Sequence, residues 1–334
     1  MKKFKKQHKL IAMIVVITLF TFALAACASD NEDVAEEDRV YQVGIIQLLE
    51  HPALDAAREG FLSIFEEYGI NAEFNYQNAQ GDQPTLSTIA SMFVSNESDL
   101  VLAIATPSVQ AMFTATDTIP IVGSAITSYE RAGVVYSNEA PGTNVTGASD
   151  MNPIEAQVEM VLEFVPHMET LGIVYSSNEA NSVYQAEIAK AHAESLGLTV
   201  VTGTVAALAD VQQNILSVAS RVDAIWIPTD NTHASAMAVV AQASIDTGVP
   251  VFPGEENMTM GGGVATLGIN YFELGRQSGH MAVQILRGEG EPSTMPIVFG
   301  KDLNLLYVIN GFMAEELGLE IPARFQNYIQ FPQD

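Results

Sequence analysis

The chain has one cysteine, Cys27, in 334 residues. A single thiol cannot close an internal disulfide, so a bridged fold and any two-cysteine catalytic site are excluded. Basic residues are scarce as well, 14 Lys+Arg against 40 Asp+Glu. Lys2, Lys3, Lys5, Lys6 and Lys9 crowd the start, which leaves nine basic residues beyond position 26 and a formal balance of −31 there. Only Lys190 and Lys301 are lysines in that part. So acidic a chain excludes nucleic-acid binding through phosphate contacts and is repelled by anionic lipid. The catalytic motifs are missing too. There is no HExxH and no serine-centred GxSxG turn. Gly261-Gly262-Gly263 precedes a strand and lacks the strand–helix order of a phosphate loop. His167, His192, His233 and His280 are scattered without metal-ligand spacing. Neither cofactor nor metal is expected.

What is present begins at the N-terminus. The five lysines precede an apolar run from Leu10 to Ala23, followed by Leu24-Ala25-Ala26-Cys27. A basic segment, an apolar core and small residues before a cut make a secretory signal. The run is shorter than the roughly 20 residues a spanning helix needs. With Cys at the cut, the pattern resembles the lipobox of bacterial lipoproteins. That resemblance implies a signal peptide over 1–26 and lipidation of Cys27, placing the protein on the extracytoplasmic face of a cell membrane. The following ASDNEDVAEEDR is acidic, without apolar periodicity, so 27–39 reads as a solvated tether. No second long apolar segment follows.

The remaining chain exceeds one compact core, so two domains are expected. Short apolar runs alternate with helical periodicity almost throughout. Residues 40–125 and 170–252 each read strand, helix, strand, helix, strand, helix, strand. Within them, Pro52 to Tyr68 carries Leu54, Ala57, Phe61, Ile64 and Phe65 at helical spacing and stops at Gly69. Val211–Ala219 reads as a helix, Ala224–Ile227 as a strand and Thr232–Ile245 as one helix. This alternation predicts an α/β fold of two Rossmann-like lobes with parallel sheets.

Ligands bind at the carboxyl ends of such strands. Those ends can be read off as Gln47 to Pro52 (with Leu49 and His51), Asn78 to Asp82 (with Gln80), Thr106-Pro107-Ser108, and Ser124 to Thr127. In the second half they are Ser176 to Ser182 (with Asn178 and Asn181), Pro228 to Asn231 (with Thr229 and Asp230), and Gly254 to Asn257 (with Glu255). Hydroxyls and amides at helix N-termini suit an anion, so Thr106, Ser108, Asn181 and Ser182 are candidates to grip a carboxylate. Asp230, with Glu255 in reserve, suits an ammonium. Each is equally an ordinary helix cap on its own, and His51 reads as a local cap or packed imidazole before a catalytic group, with cleft lining the alternative. The signal is joint: polar loops recur at one end of successive strands.

EHPALDAAREGF (50–61), NAQGD (78–82), AIATPSVQA (103–111), NVTGASD (144–150), NEANSV (178–183), VDAIWIPTDN (222–231) and ATLGINYFELGRQSG (265–279) resemble, in this order, the substrate-binding lipoproteins of ABC importers for tryptophan or tyrosine. The likeness covers essentially residues 40–318. It implies a type 1 periplasmic-binding-protein fold with a three-crossing hinge. The N-terminal lobe would be 40–148 plus about 270–300, and the C-terminal lobe about 149–269 plus 301–334. It also implies an aromatic amino acid as ligand, with a membrane permease and a cytoplasmic ATPase as partners. Asn270 stands where the family pattern has Asp, which shifts any ammonium contact onto Asp230 or Glu255.

The reading is therefore a monomeric, non-enzymatic capture protein that closes two lobes on a small ligand. Leu49, His51 and Tyr271 would bound its side chain, with Gln80, Thr127, Asn178, Thr229, Asn231 and Asn270 around the same cleft. One rival is a ligand-sensing protein reporting to a receptor or kinase, or a binder of another small solute. A second rival is an enzyme using His51 with Asp230 across the cleft.

Overall fold

A computed structural model describes residues 39–302 and 305–331; Cys27 and most of the acidic segment lie outside the described residues. The order begins β1 (Tyr41–Gln47), α1 (Pro52–Tyr68), β2 (Ala72–Asn78), α2 (Gln83–Ser95), β3 (Leu100–Ile104), α3 (Thr106–Ala115), β4 (Ile121–Ile126), α4 (Tyr129–Ala132) and β5 (Val145–Ser149). It continues with α5 (Ile154–Phe164), β6 (Thr170–Ser176), α6 (Ala180–Ser195), β7 (Thr199–Val205), α7 (Val211–Ala219), β8 (Ala224–Ile227), α8 (Asn231–Ala234), α9 (Met237–Thr247) and β9 (Val251–Pro253). Then come α10 (Glu256–Met260), β10 (Ala265–Ile269), α11 (Tyr271–Leu286), β11 (Val298–Phe299), β12 (Leu305–Asn310), α12 (Gly311–Glu316) and β13 (Ile329–Gln330).

The first sheet runs β2-β1-β3-β4-β5-β11 with every neighbouring pair parallel. The second runs β7-β6-β8-β9, also parallel. A third, smaller sheet pairs β10 antiparallel to β12 and β12 parallel to β13. Parallel strands need helical crossovers, which cover both faces. Accordingly every residue of β3, β4 and β8 is buried, while the edge strand β2 has no buried residue.

The chain passes between the two parallel sheets: β5 belongs to the first and α5 packs on the second, α11 returns to the first, and β12 then pairs with β10. The first passage leaves the first sheet for α5, which packs with Leu171, Trp226 and Phe252. The second brings α11 onto α1 and β4 in the first lobe. The third leads β12 to β10, with Ile309, Met313 and Phe325 in the second core.

The α1–α11 contact is close because Gly60, Gly275 and Gly279 leave room for it. A Cβ on Gly275 would overlap the Ala57 carbonyl, and one on Gly60 the Phe272 carbonyl. The facing apolar stripe of α1 is Ala53, Leu54, Ala57, Phe61, Ile64 and Phe65, all buried. Pro52 opens this helix, and Gly69 closes it at φ 62° in the left-handed region.

The structure corrects the sequence reading in two places. The expected helix over Thr232–Ile245 is broken at Ser235–Ala236 into α8 and α9. Asp230 ties the first turn to the end of β6, whereas α9 packs on α7. Val145–Ser149, which has one strongly apolar side chain, forms the fully buried strand β5. Its small residues fit beneath Tyr129, whose hydroxyl donates to the Ala148 carbonyl at 3.1 Å.

Candidate functional site

The carboxyl ends of both parallel sheets converge on one small buried cavity of about 20 Å³. The first lobe contributes His51 and Leu54 after β1, Ala125 from β4 and Asp150 after β5. The second contributes Asn181 from α6, Thr229, Asp230, Asn231 and Ala234 after β8, and Glu255 and Met258 after β9. Tyr271, at the start of α11, completes the wall.

The lobes touch across this cavity. His51 Nε2 lies 3.2 Å from Asn231 Oδ1, and Gln185 Nε2 donates to Thr127 Oγ1 at 3.2 Å. The Arg131 guanidinium lies 4.8 Å from the centre of the Tyr184 ring, a cation–π contact at the same boundary. Contacts of this length between side chains of opposite lobes define a closed cleft.

Four buried carboxylates surround the site, three raised by burial and one, Asp230, held low. Burial raises Asp150, against hydrogen bonds from Tyr271 Oη at 2.8 Å and Thr127 Oγ1 at 3.0 Å. Burial also raises Glu255 to about 7, although it caps α10 by accepting from the Asn257 and Met258 amides. Glu179 is raised by burial and then by the Asp230 charge. Burial would raise Asp230 as well, but His233 and the Ser176 amide outweigh it and hold its carboxyl at about 2. Asp230 accepts from His233 Nδ1 at 2.7 Å, from Ser176 N at 2.6 Å and from Ser176 Oγ at 3.0 Å. Its oxygens are thus largely engaged within its own lobe. His51 is pushed down by burial, so its imidazole is neutral at pH 7.

Of the residues singled out in the sequence, His51, Asn181, Thr229, Asp230, Asn231, Glu255 and Tyr271 line the cavity. Thr127 and Ser182 stand behind it, bonded to Asp150 and Asn181. Leu49, Gln80, Asn178, Thr106, Ser108 and Asn270 are not in its wall. Asn178 bonds the Ala206 carbonyl. Asn270 caps α11 by accepting from Glu273 N at 2.9 Å, a role Asp fills equally well. Thr106 and Ser108 are buried at the start of α3. Their hydroxyls, with that of Ser124, have no partner among the described residues.

The adjoining backbone is strained. Ala105 and Ala125, at the ends of β3 and β4, have φ of 77° and 58°, and Gln80 after β2 has 54°. Non-glycine residues in this region cost about 1–3 kcal/mol each and cluster at functional sites. Glu179 lies within the Ser176–Ser182 loop that the sequence singles out, though its role does not show there. Asp150 and Gln185 were missed, because their partners come from loops far away in the chain, and for Asp150 the NVTGASD motif was the available signal. Among the described residues, no group of three His, Cys, Asp or Glu could hold a metal ion.

The family profile described as ABC transporter substrate binding protein matches residues 42–329. The chain belongs to that family. It is similar to the tyrosine-binding protein of Clostridioides difficile (strain R20291), 35% identical over 295 residues, 85% of this chain and 86% of the relative. It is also similar to a solved Streptococcus pneumoniae ABC domain in complex with L-Trp. That structure is 35% identical with a TM-score of 0.83 and covers 87% of this chain and 100% of its own. A ligand-free, open substrate-binding protein with adhesive properties from Clostridium difficile is 38% identical and covers 88% of this chain and 100% of its own, yet its TM-score is 0.67. The substrate-binding protein described here is thus nearer in shape to the L-Trp complex than to the open form, as its interlobe contacts require. The fold is the two-lobed α/β periplasmic-binding-protein fold, and the protein binds a solute for an ABC transporter and is not an enzyme.

Proposed function

We propose that this protein captures an aromatic amino acid, tryptophan, tyrosine or phenylalanine, in the interlobe cavity and delivers it to an ABC permease driven by a cytoplasmic ATPase. One observation carries the reading. The cavity wall holds the buried carboxylates Asp150 and Glu255 beside apolar Leu54, Ala125, Ala234 and Met258, with no Lys or Arg. Such a wall suits a ligand with an ammonium group and an apolar body. Relatives that bind tyrosine or carry L-Trp support the choice of body.

Asp150 and Glu255 receive the ammonium. Asp230, already bonded to His233 and Ser176, lends charge without direct contact. His51 and Tyr271 flank the aromatic side chain. The unpartnered hydroxyls of Thr106 and Ser108, at the start of α3, and of Ser124 in β4 are donors available for the carboxylate. The lobes divide as 40–148 plus about 270–300 and about 149–269 plus 301–334; the pairing of β11 with β5 and of β12 with β10 supports this division. Lipidation at Cys27 holds the protein at the outer face of the membrane, and it works as a monomer.

A thermal-shift panel of amino acids and sugars tests the reading. A ligand at 100 times its Kd stabilises by about 2.7 kcal/mol, so an aromatic amino acid should raise Tm by several degrees. A shift with sugars alone would overturn the ligand class.

A further inference from the structure

We infer that His51 Nδ1 and Asn181 Oδ1 form a pair of acceptors that selects ligands with an N–H or O–H donor on the side chain, and that Glu179 is the residue that positions them. This rests on the aromatic reading above and narrows it to tryptophan and tyrosine over phenylalanine.

Glu179 is 4% exposed and receives donors only. Asn231 N and Nδ2 donate to it at 3.1 and 2.5 Å, Thr232 N and Oγ1 at 3.0 and 2.8 Å, and Asn181 Nδ2 at 3.4 Å. Five donors on one carboxylate fix the Asn231 amide with Nδ2 toward Glu179, so Oδ1 must face His51. An amide oxygen only accepts, so His51 Nε2 is the donor across the 3.2 Å gap. A neutral imidazole has one donor and one acceptor nitrogen, and Nδ1 is therefore the acceptor. Its burial keeps the ring neutral.

Asn181 is set by the same logic. Its Nδ2 donates to the Thr229 carbonyl at 3.0 Å as well as to Glu179, which leaves Oδ1 as the free end. Both side chains line the cavity at 7% and 6% exposure, and neither His51 Nδ1 nor Asn181 Oδ1 has a partner among the described residues. An indole N–H or a phenol O–H satisfies one or both. A phenyl ring leaves both buried and unpaired, which a site built this way disfavours strongly.

Calorimetric titration with L-tyrosine, L-tryptophan and L-phenylalanine tests this. Tyrosine or tryptophan should bind roughly 10- to 100-fold more tightly than phenylalanine. Phenylalanine binding as tightly as both would overturn the inference and leave the aromatic reading standing; binding of none would overturn both. Glu179→Gln presents an amide N–H to the Asn231 donors, lets that amide turn over and exchanges the His51 tautomer. The preference for tryptophan over phenylalanine should then shrink, because an indole N–H only donates whereas a phenol also accepts, and a fully preserved tryptophan preference would contradict Glu179's role. Should that variant not fold, long-range proton–nitrogen NMR on histidine-labelled wild-type protein reads the tautomer directly. The expected signature is a protonated Nε2 and a bare Nδ1 that shifts with tyrosine or tryptophan but not phenylalanine. A protonated Nδ1 would refute the inference.

Discussion

Tyr271 Oη donates a 2.8 Å hydrogen bond to Asp150 Oδ2, across 121 positions of sequence. Asp150 directly follows β5 where the chain first leaves the first lobe, and Tyr271 opens α11 where it returns. The bond therefore pins the exit and the return to each other at the cavity wall. Tyr271→Phe leaves a buried carboxylate with the Thr127 hydroxyl as its remaining side-chain donor. Stability in urea should fall by about 1–3 kcal/mol. An unchanged midpoint would show that the bond contributes nothing.

Glu255 should give the protein a pH signature. Its folded carboxyl, at about 7, lies above the ordinary Glu value of 4.5. The folded state thus holds the proton more tightly. The resulting stability is complete below pH 4.5, declines as pH rises to about 7, and is level above that. Glu255→Gln should reduce the fall in stability between pH 5 and pH 8 in urea melts, leaving the part due to Asp150 and Glu179. An ammonium favours the charged carboxylate, so affinity for an amino acid should rise from pH 6 to pH 8 in the wild type and rise less in the variant. A wild-type affinity indifferent to pH would remove Glu255 from the ammonium site.

Asp230 should behave in the opposite sense. Its carboxyl is held at about 2, below the ordinary 3.8, so its contribution is present above pH 3.8 and lost as pH falls through 2. Asp230→Asn sets an amide N–H against the Ser176 and His233 donors. Breaking a buried pair of this kind costs about 3–5 kcal/mol, and the urea midpoint should drop accordingly at pH 7. A loss below 1 kcal/mol would mean that the Asp230–His233 pair is not structural.

The α1–α11 contact makes a separate demand. Gly275→Ala places a methyl group against the Ala57 carbonyl, a backbone atom that cannot rotate away. Overpacking of this sort costs about 1–3 kcal/mol, measurable by denaturant unfolding. Gly197→Ala, with open space around it but φ of 87°, serves as the control in which conformational strain acts without a clash.

Cys27→Ser should release the protein from membranes in fractionated cells while leaving ligand affinity unchanged. A lower affinity in that variant would mean that the N-terminal segment takes part in recognition.

Much of the fold was legible because its local patterns and its tertiary needs agree. Val211–Ala219 and Ala224–Ile227 were read to the residue, since an amphipathic stripe and a buried apolar run have no competing use. β5 escaped because Val-Thr-Gly-Ala-Ser carries too little apolar surface to signal a buried strand. The break between α8 and α9 escaped because its cause, Asp230 reaching Ser176, spans 54 positions. The same distance effect governs the site. Loops after strands are visible in a sequence, so His51, Asn181, Asp230, Asn231 and Glu255 could be found. The alignment of Glu179 with Asn231, 52 positions on, is decided only when β6 and β8 pair.

The most direct measurement is calorimetric titration of the protein, purified by unfolding and refolding to strip bound solute, with tryptophan, tyrosine and phenylalanine. The account requires saturable one-to-one binding of an aromatic amino acid, weakened at least tenfold by Asp150→Asn. Absence of heat with all three, alongside saturable binding of a sugar or an aliphatic amino acid, would contradict it.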